Sequence, residues 1–290
     1  MKNLIFTFFL LVLTVKVSQA QEKESYSRKG EYFVYWGYNR SFSYSESDIR
    51  FRGIGYDFTL YKAVAADAPT PIQDIGTYLN PGLLSIPQFN FRAGYFFNDH
   101  WCLSLGWDHM KYVVQDWQKV AISGHISPQV SDPAITVDPK YVGDFTKEAN
   151  TVVLDPDHFL HLEHTDGFNY AALELDRYDR LWTAKNKKLS LDWLAGMGAG
   201  AMVPRSDVHL FGVGANHFWN VSGYGFSAKA GLRFDFSKRL FFQTDVKYGF
   251  SRLNNIPTTG RDTDYAQQSI WWGEFYGVLG YKFGRHRKNK

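Results

Sequence analysis

The stretch from Phe218 to Phe250 alternates so regularly that it permits one kind of local structure. Tyr224, Phe226, Ala228, Ala230, Leu232, Phe234 and Phe236 occupy every second position, on a face that runs back through Ser222 and Asn220. Val221, Gly223, Gly225, Ser227, Lys229, Gly231, Arg233 and Asp235 fill the gaps. After Ser237-Lys238, Leu240, Phe242, Val246, Tyr248 and Phe250 take up one face, with Gln243, Asp245, Lys247 and Ser251 on the other. A period of two is a strand period, so the stretch predicts a hairpin. A soluble sheet would bury its apolar face in a core. A membrane barrel would show that face to lipid and turn the charges inward.

The rest of the chain repeats the pattern. Phe89, Phe91, Ala93, Tyr95 and Phe97 face away from Gln88, Asn90, Arg92 and Gly94, and Asn98-Asp99 makes a tight turn into Trp101, Leu103, Leu105 and Trp107. Ala171, Leu173 and Leu175 oppose Glu174, Asp176, Tyr178 and Arg180; Leu191, Trp193, Ala195 and Met197 oppose Ser190, Asp192 and Gly196. Eight strands are predicted, at about 31–44, 86–97, 100–114, 168–183, 188–203, 218–236, 239–251 and 269–283. Short links near Asn98, Asn186 and Lys238 alternate with long ones over 45–85, 115–165, 204–217 and 252–268. That alternation fits periplasmic turns and external loops, so the expected fold is all-β, an eight-stranded antiparallel transmembrane barrel. Strand-like residues within 48–62 leave ten strands as the alternative. The 115–165 link, with Pro128, Pro133, Pro139 and Pro156, reads as irregular and functional or partly mobile.

Composition agrees. Aromatic residues make up 18% of the chain while its mean hydropathy is only −0.33, which suits strands exposed to lipid on one face and excludes a bundle of spanning helices. A net charge of +3 does not suggest nucleic-acid binding, and the basic residues Lys282, Arg285, Arg287, Lys288 and Lys290 read as a solvated end. Residues 1–20 have the form of a secretory signal peptide: Lys2, an apolar run from Leu4 to Val15, and small residues at Ser18 and Ala20. Residues 21–290 are then one barrel domain in the outer membrane of a Gram-negative cell. The lone Cys102 forbids an intrachain disulfide and reads as a packed side chain.

Threading the pattern inward places Arg92, Asp108, Glu174, Asp176, Arg180, Asp192, Lys229, Arg233, Asp235, Asp245, Lys247 and Glu274 inside the barrel. Eight strands enclose a space that side chains fill, so these charges are expected to pair and plug the interior. Trp36, Trp101, Trp107, Trp182, Trp193, Trp219, Trp271 and Trp272 near strand ends read as interface anchors.

Tyr35-Trp36-Gly37-Tyr38-Asn39-Arg40, Tyr56-Asp57-Phe58-Thr59-Leu60, Ile86-Pro87-Gln88-Phe89-Asn90-Phe91-Arg92 and Asp108-His109-Met110-Lys111-Tyr112 resemble an uncharacterised outer-membrane barrel family of Bacteroidota-type bacteria. Glu163-His164-Thr165-Asp166-Gly167 with Asn169-Tyr170 fits the same resemblance, which covers nearly all of residues 21–290 and brings no activity with it. In topology the chain is similar to small barrels of the OmpA, OmpX and PagL kind, which include anchors, adhesion-related proteins and lipid A-modifying enzymes.

Chemistry concentrates in Asp157 to Asp166. His158, His161, His164 and Asp166 are candidate metal ligands, although a strand would turn His161 away from the other two histidines. An acyl-ester hydrolase similar to PagL would need a His-x-Ser-Asn motif; the nearest string is His164-Thr165-Asp166, with Glu174 further along the strand, so His164, Thr165 and Glu174 are the catalytic candidates. Asp108 and His109 point to opposite faces and form no acid–base pair. The plainer reading is a surface binding or structural protein acting through its loops on a glycan, lipopolysaccharide or protein, in contact with outer-membrane lipid and with no cofactor.

Overall fold

The computed structural model describes residues 27–185 and 188–284. Its eight main strands are β1 (Glu31–Tyr44), β2 (Phe89–Phe96), β3 (Trp101–Val114), β4 (Leu160–Thr183), β5 (Ser190–Met202), β6 (Gly223–Asp235), β7 (Leu240–Pro257) and β8 (Tyr265–Gly284). Each pairs antiparallel with the next, and β1 pairs with β8 from Glu31↔Gly284 to Tyr44↔Trp272. The ring is therefore closed at eight strands, which leaves no ladder edge in the barrel wall. The pieces within 48–62 do not span. They form a hairpin above the ring, Ser47–Gly53 with Tyr56–Ala63.

The wall is inside out. On β6 and β7 the outward residues Tyr224, Phe226, Leu232, Phe234, Leu240, Phe242, Val246 and Tyr248 are exposed, whereas Lys229, Arg233, Asp235, Asp245 and Lys247 are buried. From Tyr224 to Phe236 the outward run covers twelve steps; at about 3.3 Å per residue and a tilt of about 40° it stands roughly 30 Å tall, a bilayer core's thickness. No helix among the described residues is long and apolar enough to cross a membrane, and strands do the crossing. An even-numbered closed barrel with an apolar exterior, short turns at one end and long connections at the other is an outer-membrane barrel.

Three features depart from the sequence reading. First, β6 begins at Gly223; the segment up to Trp219 belongs to a separate hairpin, Arg205–Leu210 with Val213–Trp219, so the 204–217 link is a β-structure. Parity changes across the break, where Val221 is exposed and Ser222 buried, and the side chain of Phe218 lies outside the described residues. Second, Trp272 is no interface anchor. It is buried inside the barrel, donating from Nε1 to Ser251 Oγ at 2.8 Å, while its neighbour Trp271 faces outward. Third, the 115–165 link is largely ordered. Its strand Lys119–Ile126 pairs with Tyr56–Ala63 and also with Gly143–Phe145 and Thr151–Val153.

These extensions build a head on the barrel with the opposite polarity. Ile49, Phe51, Phe58, Leu60, Ile122, Ile126, Phe159, Leu162, Leu210, Ile256 and Ala266 pack inward as one apolar core. Outward residues of the same strands, such as Arg50 and Asp57, pair in the open at 2.7 Å. Polarity thus inverts along the axis: charges inside and oils outside in the bilayer, oils inside and charges outside above it. The hydrophobic effect dictates both, because the solvent around the wall changes. Residues 1–20, Asn186 and the basic end from Arg285 lie outside the described residues; Lys282 is buried against Asp235 at 2.8 Å, not solvated.

An Ala230→Arg change would put a charge on the outward face midway up the wall. The expected loss is about 2–4 kcal/mol of folding free energy, read by urea titration in lipid vesicles. An unchanged midpoint would show that this face does not meet lipid.

Candidate functional surfaces

The barrel interior holds a continuous ion-pair network. Arg92 on β2 reaches Glu174 at 2.9 Å and Asp108 at 3.3 Å. Lys229 on β6 lies 2.6 Å from Glu174 and 3.1 Å from Asp176. Lys247 on β7 bonds Asp108, Glu174 at 3.0 Å and Glu274 at 3.4 Å. Asn90 donates to Asp108 at 2.8 Å, and Gln243 to Asp245 at 2.8 Å. Every one of these charged side chains is buried. Glycine makes the room: a Cβ on Gly106 would stand 2.7 Å from the Arg92 guanidinium carbon.

Nearer the periplasmic end a second layer closes the tube. The Arg233 guanidinium lies 3.7 Å from the centre of the Phe241 ring and pairs with Glu31 and Asp235, while Arg28 meets Asp192 at 2.6 Å and Arg180 reaches Asp192 too. Phe33, Phe96, Tyr178 and Cys102 pack beside them. Polar and aromatic side chains from all eight strands are buried in mid-barrel.

The Asp157–Asp166 stretch does not converge on any one site. His158 stands in a turn, its Nδ1 3.2 Å from Asp155, and its ligand-capable atoms lie within 4.8 Å of those of Asp155 and Asp157. His161 faces outward between Asp116, 2.9 Å from Nδ1, and Glu163, 3.6 Å from Nε2. Glu163 chiefly, and Asp116 with it, raise its pKa to about 9 against partial burial. His164 faces inward at the top of the barrel, fully buried, and burial lowers its pKa to about 4. Asp166 faces outward, 3.7 Å from Arg205. Alternation alone would set Asp166 beside His164; the bulge between His164 and Phe168, with Gly167 at φ +140°, turns it out. The four proposed metal ligands are thereby divided among three environments.

The catalytic candidates separate as well. Thr165 points away from His164 and donates its hydroxyl to Glu163 at 2.5 Å. Glu174 lies ten residues down β4, held by Arg92, Lys229 and Lys247. The hydroxyl beside His164 is that of Ser206, 2.8 Å from Nδ1, which the sequence reading missed because Ser206 comes from the hairpin after β5. Ser206 is as buried as His164, and no carboxylate bonds Nε2.

Two clefts open on the outside. One, of about 380 Å3 on the head, is bordered by Trp117, Lys140, Tyr141 and Asp155. Trp117 is 61% exposed and holds a left-handed backbone, φ +62°, uncommon for a bulky residue. Lys140 sits 4.7 Å over the Tyr141 ring. The other, of about 260 Å3, lies on the outer wall where head and barrel meet.

No protein-family model matches the chain, and no curated protein matches it. Among solved structures it is similar to the attachment invasion locus protein Ail of Yersinia pestis, at 16% identity over 88% of this chain and 99% of that one, TM-score 0.33. It is similar also to OprG of Pseudomonas aeruginosa, at 12% identity over 91% and 100%, TM-score 0.39. A third is outer membrane protein AlkL, at 10% identity over 95% and 100%, TM-score 0.36. The functional reading rests instead on this chain's own geometry.

Glu174→Gln would take one charge from a site where two lysines and an arginine meet. Leaving buried cations underpaired costs about 3–5 kcal/mol, so the unfolding midpoint in vesicles is expected to fall well below that of the unaltered protein. A variant as stable as the parent would mean that water fills and screens the interior.

Proposed function

We propose that this protein is a surface recognition module whose barrel is an anchor and whose head carries the binding site. The observation behind this is Trp117: a large, exposed aromatic held in a left-handed backbone at the edge of a cleft, on a head with its own apolar core. Unusual backbone geometry persists where the surroundings fix it, and such positions cluster at binding sites. Trp117 offers a flat apolar face, while Lys140 and Asp155 at the border of the cleft offer a donor and an acceptor. That combination suits a surface glycan, stacked on the ring and hydrogen-bonded at its hydroxyls. The filled interior supports the same division of labour, since it leaves no path for a diffusing solute.

Export by cleavage after Ala20, a single domain over residues 21–290 and a Bacteroidota-type origin belong to the same proposal. Peptide mapping of the mature N-terminus checks the first. The runner-up, a lipid A acyl-ester hydrolase, has the buried His164–Ser206 pair behind it and nothing that opens the pair to an ester. An unchanged lipid A acyl pattern in cells with and without the gene removes it.

The recognition reading is tested with the folded protein in nanodiscs on a glycan array. Saturable binding to a restricted glycan set is expected, and Trp117→Ala is expected to weaken it by about tenfold or more, the worth of one stacked aromatic. No binding, or binding indifferent to Trp117→Ala, would refute it. A stepwise conductance in planar bilayers would separately contradict the sealed interior.

A further inference from the structure

The cleft where head and barrel meet has the chemistry of a lipid headgroup site. β3 sends Trp107, His109 and Lys111 outward in succession, and across the gap stand Asp166, Arg205 and Trp219. Directly below, Leu105 and Leu173 are exposed on the lipid-facing wall; above, the wall turns polar. The cleft therefore straddles the level at which acyl chains give way to headgroups. Trp107 and Trp219, ring centres 6.2 Å apart, mark that level, as tryptophans at a bilayer interface do.

Two of its cationic groups are poorly matched within the protein. Lys111 makes no hydrogen bond or ion pair through its ammonium among the described residues, though it is half-buried. Arg205 Nε is buried with no hydrogen-bond partner, and Asp166 approaches it only to 3.7 Å. Burying cationic donors without acceptors is unfavourable, so such donors mark a place for an anion that arrives from outside.

His109 adds a third, different group, and its hydrogen bonding fixes its tautomer. Trp107 Nε1, which can only donate, points at Asn169 Oδ1 at 3.1 Å, so that atom is the carbonyl oxygen. His109 Nδ1 lies 2.8 Å from the same oxygen and must therefore carry the proton. Its Nε2 keeps a lone pair and has no protein partner among the described residues. The ring is 6% exposed and stacked on Phe89 at 5.0 Å, so it is held rigidly. A lone pair repels a phosphate oxygen but accepts from a hydroxyl.

We propose that this cleft binds the phosphorylated sugar headgroup of an outer-leaflet glycolipid. Lys111 and Arg205 take the phosphate, His109 Nε2 accepts from a sugar hydroxyl, and the acyl chains run down the wall past Leu105 and Leu173. A phosphate on glycerol satisfies the two cations but gives His109 no ring hydroxyl in fixed position. A glycolipid answers all three. The inference rests on the outer-membrane reading and is independent of the Trp117 cleft.

The test is native mass spectrometry of the detergent-solubilised, folded protein titrated with bisphosphorylated lipid A, with phosphatidylglycerol, or with inorganic phosphate. One lipid A per barrel is expected, held at least about tenfold more tightly than phosphatidylglycerol, with no retention of free phosphate. Lys111→Gln with Arg205→Gln is expected to abolish that preference, and Lys111→Arg to keep it. Arg50→Gln with Arg52→Gln, a change of equal charge on the head, is expected to leave it intact. Heat-modifiable gel migration establishes that each variant is folded. Equal binding of both lipids, or retention of lipid A by the folded double variant, would overturn the proposal. A chain that needs no detergent at all would instead overturn the outer-membrane reading beneath it.

Discussion

The structure depends on the pairing of Lys229 and Lys247 with Glu174. These charges are buried in the barrel interior, enclosed by a wall that faces lipid. Water cannot reach them freely, so each must find its counter-charge in another strand. β2, β3, β4, β6, β7 and β8 all contribute to the network that results. The network therefore fixes the register of strands that are distant in sequence. A slip of one residue in β6 or β7 would send a lysine into lipid and a phenylalanine among carboxylates.

Buried side chains occupy the barrel interior, while the clefts described above open on the outer wall and on the head. The head has its own apolar core, with Ile49, Phe58, Ile122, Phe159 and Leu210 packed inward as in a soluble protein. It is also tied to the barrel covalently and by ladders: β4, β7 and β8 run from one into the other without interruption. Such a head can present a cleft such as that at Trp117 at a fixed height and angle from the membrane. The wall cleft at Lys111 and Arg205 lies lower, beside the exposed leucines of the apolar wall.

Much of the barrel was legible because a strand's two faces read out directly as alternate residues. Arg92, Glu174 and Lys247 can be assigned to one side of the wall from spacing alone. The head was harder to read. Its strands are short, its prolines are many, and half its residues point into a core whose partners come from elsewhere in the chain. Val120, Ile122 and Ile126 carry a strand signal, yet the surrounding Pro128, Pro133 and Pro139 suggested an irregular loop. Ser206 beside His164, and Arg205 beside Asp166, were beyond any local reading, since each pair is separated by about forty residues and an intervening strand.

Sequence by itself pointed to a β-barrel and to which side of most strands faces lipid, because a wall between lipid and a polar interior imposes a period of two. Tertiary structure alone decided the rest. The ring closes at eight because β1 pairs with β8, while the 48–62 hairpin stacks above them. Asp166 leaves His164 because a bulge at Gly167 breaks the alternation. Trp272 packs inside the barrel because Gly249 and Ser251 of β7 make room and a hydrogen-bond partner for its ring. Neighbours in space, not in sequence, set which charges are paired.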